Sequence, residues 1–275
     1  MKILALETIG VSASVALLED GMEVRTVRLD AGEKSARALV PAVQRLLGQS
    51  GWKPEDIGLV AVAEGPGSFT GLRVGITFAK TFAYTVHAAV IGVPTLEALA
   101  AGTPAECSPL SVAMDAQRGD VVVQDFVFQP GNQRGSVGAL TTGKEGQGAS
   151  GVISSAGEAG GEQGNAEEKT GKEPMETTGR WVAAGACRMV PFEDWIATLP
   201  QGTYLNSAIL QRKARQIPAE RLAFCVAPEY REPNPVVIGQ LAWERFQAGQ
   251  PDAIWTLLPV YSRLAAAEER KKLRG

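Results

Sequence analysis

Leu59-Val60-Ala61-Val62-Ala63-Glu64-Gly65-Pro66-Gly67-Ser68-Phe69-Thr70-Gly71-Leu72-Arg73-Val74-Gly75-Ile76 runs from an unbroken apolar stretch, through a glycine-rich turn, into a second apolar segment. The first five residues read as a buried strand, and the spacing after Gly71 predicts a helix reaching about Val86. Gly65, Gly67 and Gly71 admit backbone angles or close approaches that a side chain would block, while Pro66 fixes one φ and removes one donor. Ser68 or Thr70 can cap the helix. Amides gathered at a strand-to-helix turn suit a tight structural turn, an anion or a partner's loop. Gly65, Pro66, Gly67, Ser68, Phe69, Thr70, Gly71 and Arg73 therefore form the first candidate site.

Two common phosphate motifs do not fit. A Walker loop needs Lys and then Ser or Thr after its last glycine, whereas Gly71 is followed by Leu72 and Arg73. The dinucleotide fingerprint fails as well, since three residues rather than two separate Gly67 from Gly71.

The chain has 275 residues, 45% of them hydrophobic, enough for the cores of two ordinary domains. A net charge of -3 argues against a free-standing nucleic-acid binder, which normally carries a basic face. Cys107, Cys187 and Cys225 are too few and too scattered for a disulfide framework or a zinc site. Lys2 followed by Glu7 in a short apolar run fits neither a signal peptide nor a membrane span, so a cytoplasmic location is expected.

Along the chain, Lys2 to Leu6, Ser12 to Leu18 and Met22 to Leu29 read as strands, the last two joined by an Asp20-Gly21 hairpin. Leu39, Val43, Leu46 and Leu47 recur at helical spacing, with Pro41 expected in the first turn or at a kink. A strand near Val90 to Val93 and a helix from about Thr95 follow the glycine-loop helix. Leu110 to Met114 and Val121 to Phe128 then repeat the opening grammar, which suggests a duplicated α/β architecture with a cleft between lobes. Between Gly131 and Gly179 large apolar residues almost vanish, and this segment reads as a disordered Gly-rich insertion. Structure is expected to resume at Arg180, with a helix over about 234–248. The expected division is 1–106 for the N-terminal lobe and 107–275 for the C-terminal lobe, interrupted by 131–179, the last residues being free to pack back on the first lobe.

Projected at helical spacing, Leu72, Ile76, Ala79, Ala83 and Val86 form the stripe expected to dock on a sheet. Val74 and Phe78 fall roughly opposite, with Phe82 beside them, and Gly71 and Gly75 open a groove where another backbone could approach. One sheet cannot bury both stripes. The second is expected to face either a neighbouring helix of the same chain or another protein.

His87 is the only histidine, so neither a paired-histidine metal site nor a Ser-His-Asp triad with a spare base can be assembled. A cap or surface position suits His87 best. Glu7, Asp115 and Asp120 lie near strand ends in the two halves, and Asp115 also fits a turn. The terminal run Glu268-Glu269-Arg270-Lys271-Lys272-Leu273-Arg274 reads as a solvated charged face or an RNA-phosphate contact.

Met1-Lys2-Ile3-Leu4-Ala5-Leu6-Glu7-Thr8, Ser12-Ala13-Ser14-Val15-Ala16-Leu17-Leu18, the glycine loop, Val112-Ala113-Met114-Asp115-Ala116-Gln117-Arg118-Gly119-Asp120-Val121 and Pro259-Val260-Tyr261-Ser262-Arg263 occur in an order that resembles the bacterial TsaB (YeaZ) family of tRNA threonylcarbamoyladenosine biosynthesis proteins. The resemblance covers residues 1 to about 128 well and the remainder patchily. It implies a two-lobed actin-like (ASKHA) α/β fold and a non-catalytic scaffold subunit. The acyl transfer to the adenosine beside the anticodon would belong to the whole complex. TsaD and TsaE are the implied partners and would carry the metal and ATP, so no cofactor is expected on this chain; a homodimer is the alternative pairing, and tRNA would be met only through the complex. Leu39, Val43, Leu46, Gly71, Val74, Gly75, Phe78 and Phe82 become the expected partner surface. Glu7, Thr8, Asp115 and Arg118 become the expected vestigial nucleotide contacts. The family usually has Asp where Glu7 stands and Arg where Glu64 stands, so nucleotide or anion binding carries over less directly than the fold. The rival reading is a stand-alone nucleotide-dependent phosphotransferase or a glycoprotease-like peptidase.

Overall fold

The computed structural model describes residues 1–10, 12–29, 36–131 and 179–262. The expected disordered insertion and the charged C-terminal run lie outside the described residues, apart from the ends of the former.

The first sheet begins with three consecutive antiparallel strands, β1 (Lys2–Glu7), β2 (Ser14–Glu19) and β3 (Met22–Arg28). Asp20 and Gly21 both have positive φ, as the tight hairpin between β2 and β3 requires. After helix α1 (Ala36–Gln49), β4 (Ile57–Gly65) inserts parallel to β1. Helix α2 (Phe69–Val86) then leads to β5 (Ala89–Pro94), parallel to β4, so the strand order is β3-β2-β1-β4-β5. Both β1 and β4 are buried nearly end to end, which explains why their sequences are almost continuously apolar rather than alternating. The edge strand β3 is exposed along nearly its whole length and mixes Glu23, Arg25 and Arg28 with Val24 and Thr26.

Helix α3 (Thr95–Ala101) bridges to the second sheet, which repeats the arrangement of the first. Strands β6 (Leu110–Asp115) and β7 (Asp120–Pro130) form an antiparallel pair like β1 and β2. β8 (Gly179–Ala183) and β9 (Arg188–Pro191) both pair with β7. After α4 (Phe192–Thr198), β10 (Tyr204–Asn206) lies parallel to β6, as β4 lies parallel to β1. The duplicated α/β expectation is thus what the structure shows. Trp195 of α4 is fully buried and donates from Nε1 to Ser111 Oγ at 2.9 Å, anchoring α4 to β6.

Two single turns, α5 (Ile209–Arg212) and α6 (Ala219–Leu222), precede α7 (Pro235–Gln247). Asn234 caps α7 by accepting from Val236 N at 2.9 Å, with Pro235 at the first helical position. α7 crosses the first sheet rather than the second, touching β1, β2, β4 and β5. Gly239 of α7 lies over Ala5, whereas Thr8, of the opposite parity, meets Gly75 of α2, so the first sheet carries helices on both faces. Of the two positions expected for Pro41, the first turn is not the one it takes: it is the sixth residue of α1, at an exposed position.

Candidate partner surface around the glycine loop

The glycines after β4 are required by close approaches within the chain. A Cβ on Gly67 would stand 1.7 Å from Ile9 Cγ2, and one on Gly71 would stand 2.0 Å from the Thr8 carbonyl oxygen. Thr8 Oγ1 donates to Gly71 O at 2.8 Å and lies 2.3 Å from where a Cβ on Gly75 would be. Gly65 has φ of +115° and faces Val260 O, while Val260 N donates to Glu64 O at 2.7 Å. The loop is therefore a seat for two segments of the same chain, the β1–β2 turn and the stretch around Val260. Of the two candidate caps it is Ser68 that acts, accepting from Gly71 N at 3.3 Å; Thr70 is exposed. Arg73 donates from Nε to Tyr261 Oη at 3.1 Å and its guanidinium lies 4.0 Å over the Phe69 ring, which in turn sits 4.8 Å from Tyr261. Two distant sequence words, the glycine loop and Pro259-Val260-Tyr261, thus meet in space.

On α2 the stripe Leu72, Ile76, Ala79 and Ala83 is buried against the sheet. Val74, Phe78 and Phe82 remain half-buried, and the Phe78 and Phe82 rings stack with centroids 5.7 Å apart. The rest of the expected partner surface lies elsewhere. Leu39, Val43 and Leu46 are 1–2% exposed inside the chain's own core, where α1 covers β2 and β3. Gly71 and Gly75 are covered by Thr8. Their periodic apolar stripe serves the sheet, and α1 offers Val40 and Pro41 to the outside instead. His87 is an exposed left-handed C-cap of α2.

The side of α2 that carries Arg73, Thr77, Lys80 and Tyr84 is its polar sector. It forms one wall of a groove whose other wall is residues 254–259. Sequence reading missed this wall; the apolar run Trp255, Leu257, Leu258, Pro259 and Val260 was its only signal.

Glu7 is buried at the end of β1, where its Oε1 accepts from Ile9 N at 2.5 Å and Gly10 N at 2.7 Å. Burial pushes its carboxyl from 4.5 up to about 7; the two amides oppose the rise, the Glu232 charge adds to it and Arg28 counters. Arg28 is itself ion-paired with Glu232. Thr8 is engaged with Gly71, as above. In the second lobe Asp115 accepts from Gln117 N at 2.8 Å and pairs with Arg212, closing a turn in which Gln117 and Arg118 both have positive φ. Each of the expected vestigial contacts is thus built into the turn after the first strand of its sheet. Glu64, half-buried, is raised by burial and by Asp252, with Arg245 countering and Glu97 adding to the rise.

A family model for TsaD, tRNA N6-adenosine threonylcarbamoyltransferase, matches residues 29–138. The tRNA threonylcarbamoyladenosine biosynthesis protein TsaB of Bacillus subtilis (strain 168) is 36% identical over 132 residues, 48% of this chain and 57% of its own length. The TsaB of Escherichia coli (strain K12) is 40% identical over 128 residues, 46% of this chain and 55% of its own. About half of the chain is thus similar in sequence to TsaB proteins. The chain spans a little over half the length of these curated TsaB relatives in the matched regions. The solved structure of YeaZ from Pseudomonas aeruginosa superposes with a TM-score of 0.64 over 94% of this chain and 99% of the other, at 19% identity, a likeness of fold.

Proposed function

We propose that this chain is a non-catalytic scaffold and activator subunit of an assembly that makes threonylcarbamoyladenosine on tRNA, pairing with a TsaD-type protein through α2. The observation that carries the reading is the half-buried row Val74, Phe78 and Phe82, stacked on the helix face turned away from the Leu72–Ala83 stripe. Two Phe and a Val side chain would each contribute roughly 1.5–3 kcal/mol on full burial, before the costs of association. Likeness to both TsaB relatives and the TsaD model supports a pairing between two related chains, with a homodimer as the arrangement when the partner is absent. TsaE is the further partner in this reading, ATP and metal reside on the partners, and tRNA is met only in the complex. The cytoplasm is the compartment this reading implies, and among the described residues no helix is long and apolar enough to cross a membrane.

The rival, a phosphotransferase or peptidase acting alone, would need the glycine loop as its anion site. Intrachain contacts from Thr8, Ile9 and Val260 fill the close approaches that the glycines create. Reconstituted tRNA modification with TsaD and TsaE, run with and without this chain, tests the proposal. Modification should depend on the added chain; full-rate modification in its absence would overturn the reading.

A further inference from the structure

The groove between α2 and residues 254–259 has a volume of about 380 Å³, within the range of small-molecule sites. Ile76, Ile254, Leu257 and Pro259 make its lining mainly apolar. At one end Tyr84 and Trp255 stand 5.6 Å apart and are 60% and 74% exposed, with Leu258 also open to solvent. Apolar side chains so exposed and so close together mark a surface that something else covers.

Two cations give this groove its chemistry. Lys80 is half-buried and donates from Nζ to Leu257 O at 3.1 Å, which leaves two of its three N–H groups unused by that bond. Arg73 is held in place by Tyr261 Oη through Nε and by the Phe69 face, which leaves its terminal amino groups directed elsewhere. Neither cation has a carboxylate partner among the described residues. A partly desolvated ammonium beside hydrocarbon, with no counter-charge, is complementary to an anion that brings its own apolar body.

We propose that this groove binds a small apolar monocarboxylate, with the hydrocarbon or aromatic part between Ile76, Leu257 and Trp255 and the carboxylate on Lys80 and Arg73. Two cations, one of them a planar guanidinium, suit one carboxylate, and the volume sets the ligand at drug-fragment size. Val74, Phe78 and Phe82 do not line the groove, and titration of the free chain reads the groove without any partner, so its outcome is distinguishable from that of the proposed pairing.

The test uses the full chain, 15N-labelled, titrated with 4-phenylbutanoate, with octanoate and with the neutral 4-phenylbutan-1-ol, and followed by NMR shifts of the backbone amides and the Trp255 indole. Saturable shifts centred on Lys80, Tyr84 and Trp255 are expected for an acid, at least about tenfold weaker for the alcohol, because the alcohol leaves both cations without a counter-charge. Lys80→Gln should weaken acid binding while circular dichroism stays unchanged, and Trp255→Ala should weaken acid and alcohol together. Absence of saturable binding for both acids, equal binding of the alcohol, or shifts centred elsewhere would overturn the proposal. Loss of the groove signals on concentrating the unliganded chain would mean that a second copy fills it, and would overturn it too.

Discussion

Glu7→Gln should make the protein more stable at pH 8, against the usual expectation for removing a buried charge-bearing group that is hydrogen-bonded. The carboxyl titrates near 4.5 when exposed and is pushed up to about 7 in the folded chain, chiefly by burial. Between those values the folded form holds a proton that the unfolded form has released. Stability from this group is therefore unimpaired below about pH 4.5 and declines as pH rises through 7. A rise of about 2.5 units at about 1.4 kcal/mol each corresponds to roughly 3 kcal/mol lost by pH 8. Gln keeps an oxygen that can accept from Ile9 N and Gly10 N, and it replaces the oxygen near Glu232 with a donor. Glu7 Oε2 and Glu232 Oε2 flank Gly10, 3.2 and 3.4 Å from where its Cβ would stand. Urea unfolding of both proteins at half-unit steps from pH 5 to 8 reads the difference directly. The variant should gain on wild type from pH 5 to about 7 and hold that lead, of about 3 kcal/mol, at pH 8. A variant weaker than wild type at pH 8, or one with an unchanged pH slope, would refute the reasoning.

Gly71→Ala places a methyl group 2.0 Å from a backbone carbonyl oxygen that cannot move without unseating the β1–β2 turn, so the urea midpoint should fall by the equivalent of about 3 kcal/mol or more. Gly48→Ala in α1 meets nothing within 4 Å and should raise stability by about 0.5–1 kcal/mol in the same assay. Trp195→Phe removes the donor to Ser111 Oγ in the second-sheet core and opens a small void, which should cost about 1–3 kcal/mol on thermal unfolding; an unchanged midpoint would contradict the anchoring role given to that bond.

Local order was legible wherever neighbouring residues decide it. The continuous apolar runs of β1 and β4, the Asp20-Gly21 hairpin, the capping by Ser68 and the Leu72–Ala83 stripe all rest on contacts a few residues apart or on simple burial. The partner of a buried stripe is a different matter. Leu39, Val43 and Leu46 announce through their spacing that a face is covered, and spacing cannot say whether a sheet or another protein covers it. The purpose of the glycines was equally hidden. Gly67 and Gly71 answer to Ile9 and Thr8, about sixty residues earlier, and Gly65 to Val260, almost two hundred later. In the second lobe β9, α4 and β10 are three to seven residues long, too short for a period to develop. The groove wall at 254–259 has no regular structure at all, so only its apolar content hinted at a role.

Binding of the purified chain to a TsaD-type partner, measured by calorimetry for wild type and Phe78→Asp, tests most directly whether the Val74–Phe78–Phe82 row of α2 is the covered face. Phe78 is half-buried, so circular dichroism should stay native while affinity falls by about 2–4 kcal/mol, the scale of an interface hot spot. A natively folded Phe78→Asp protein that binds the partner as tightly as wild type would show that the pairing surface lies elsewhere.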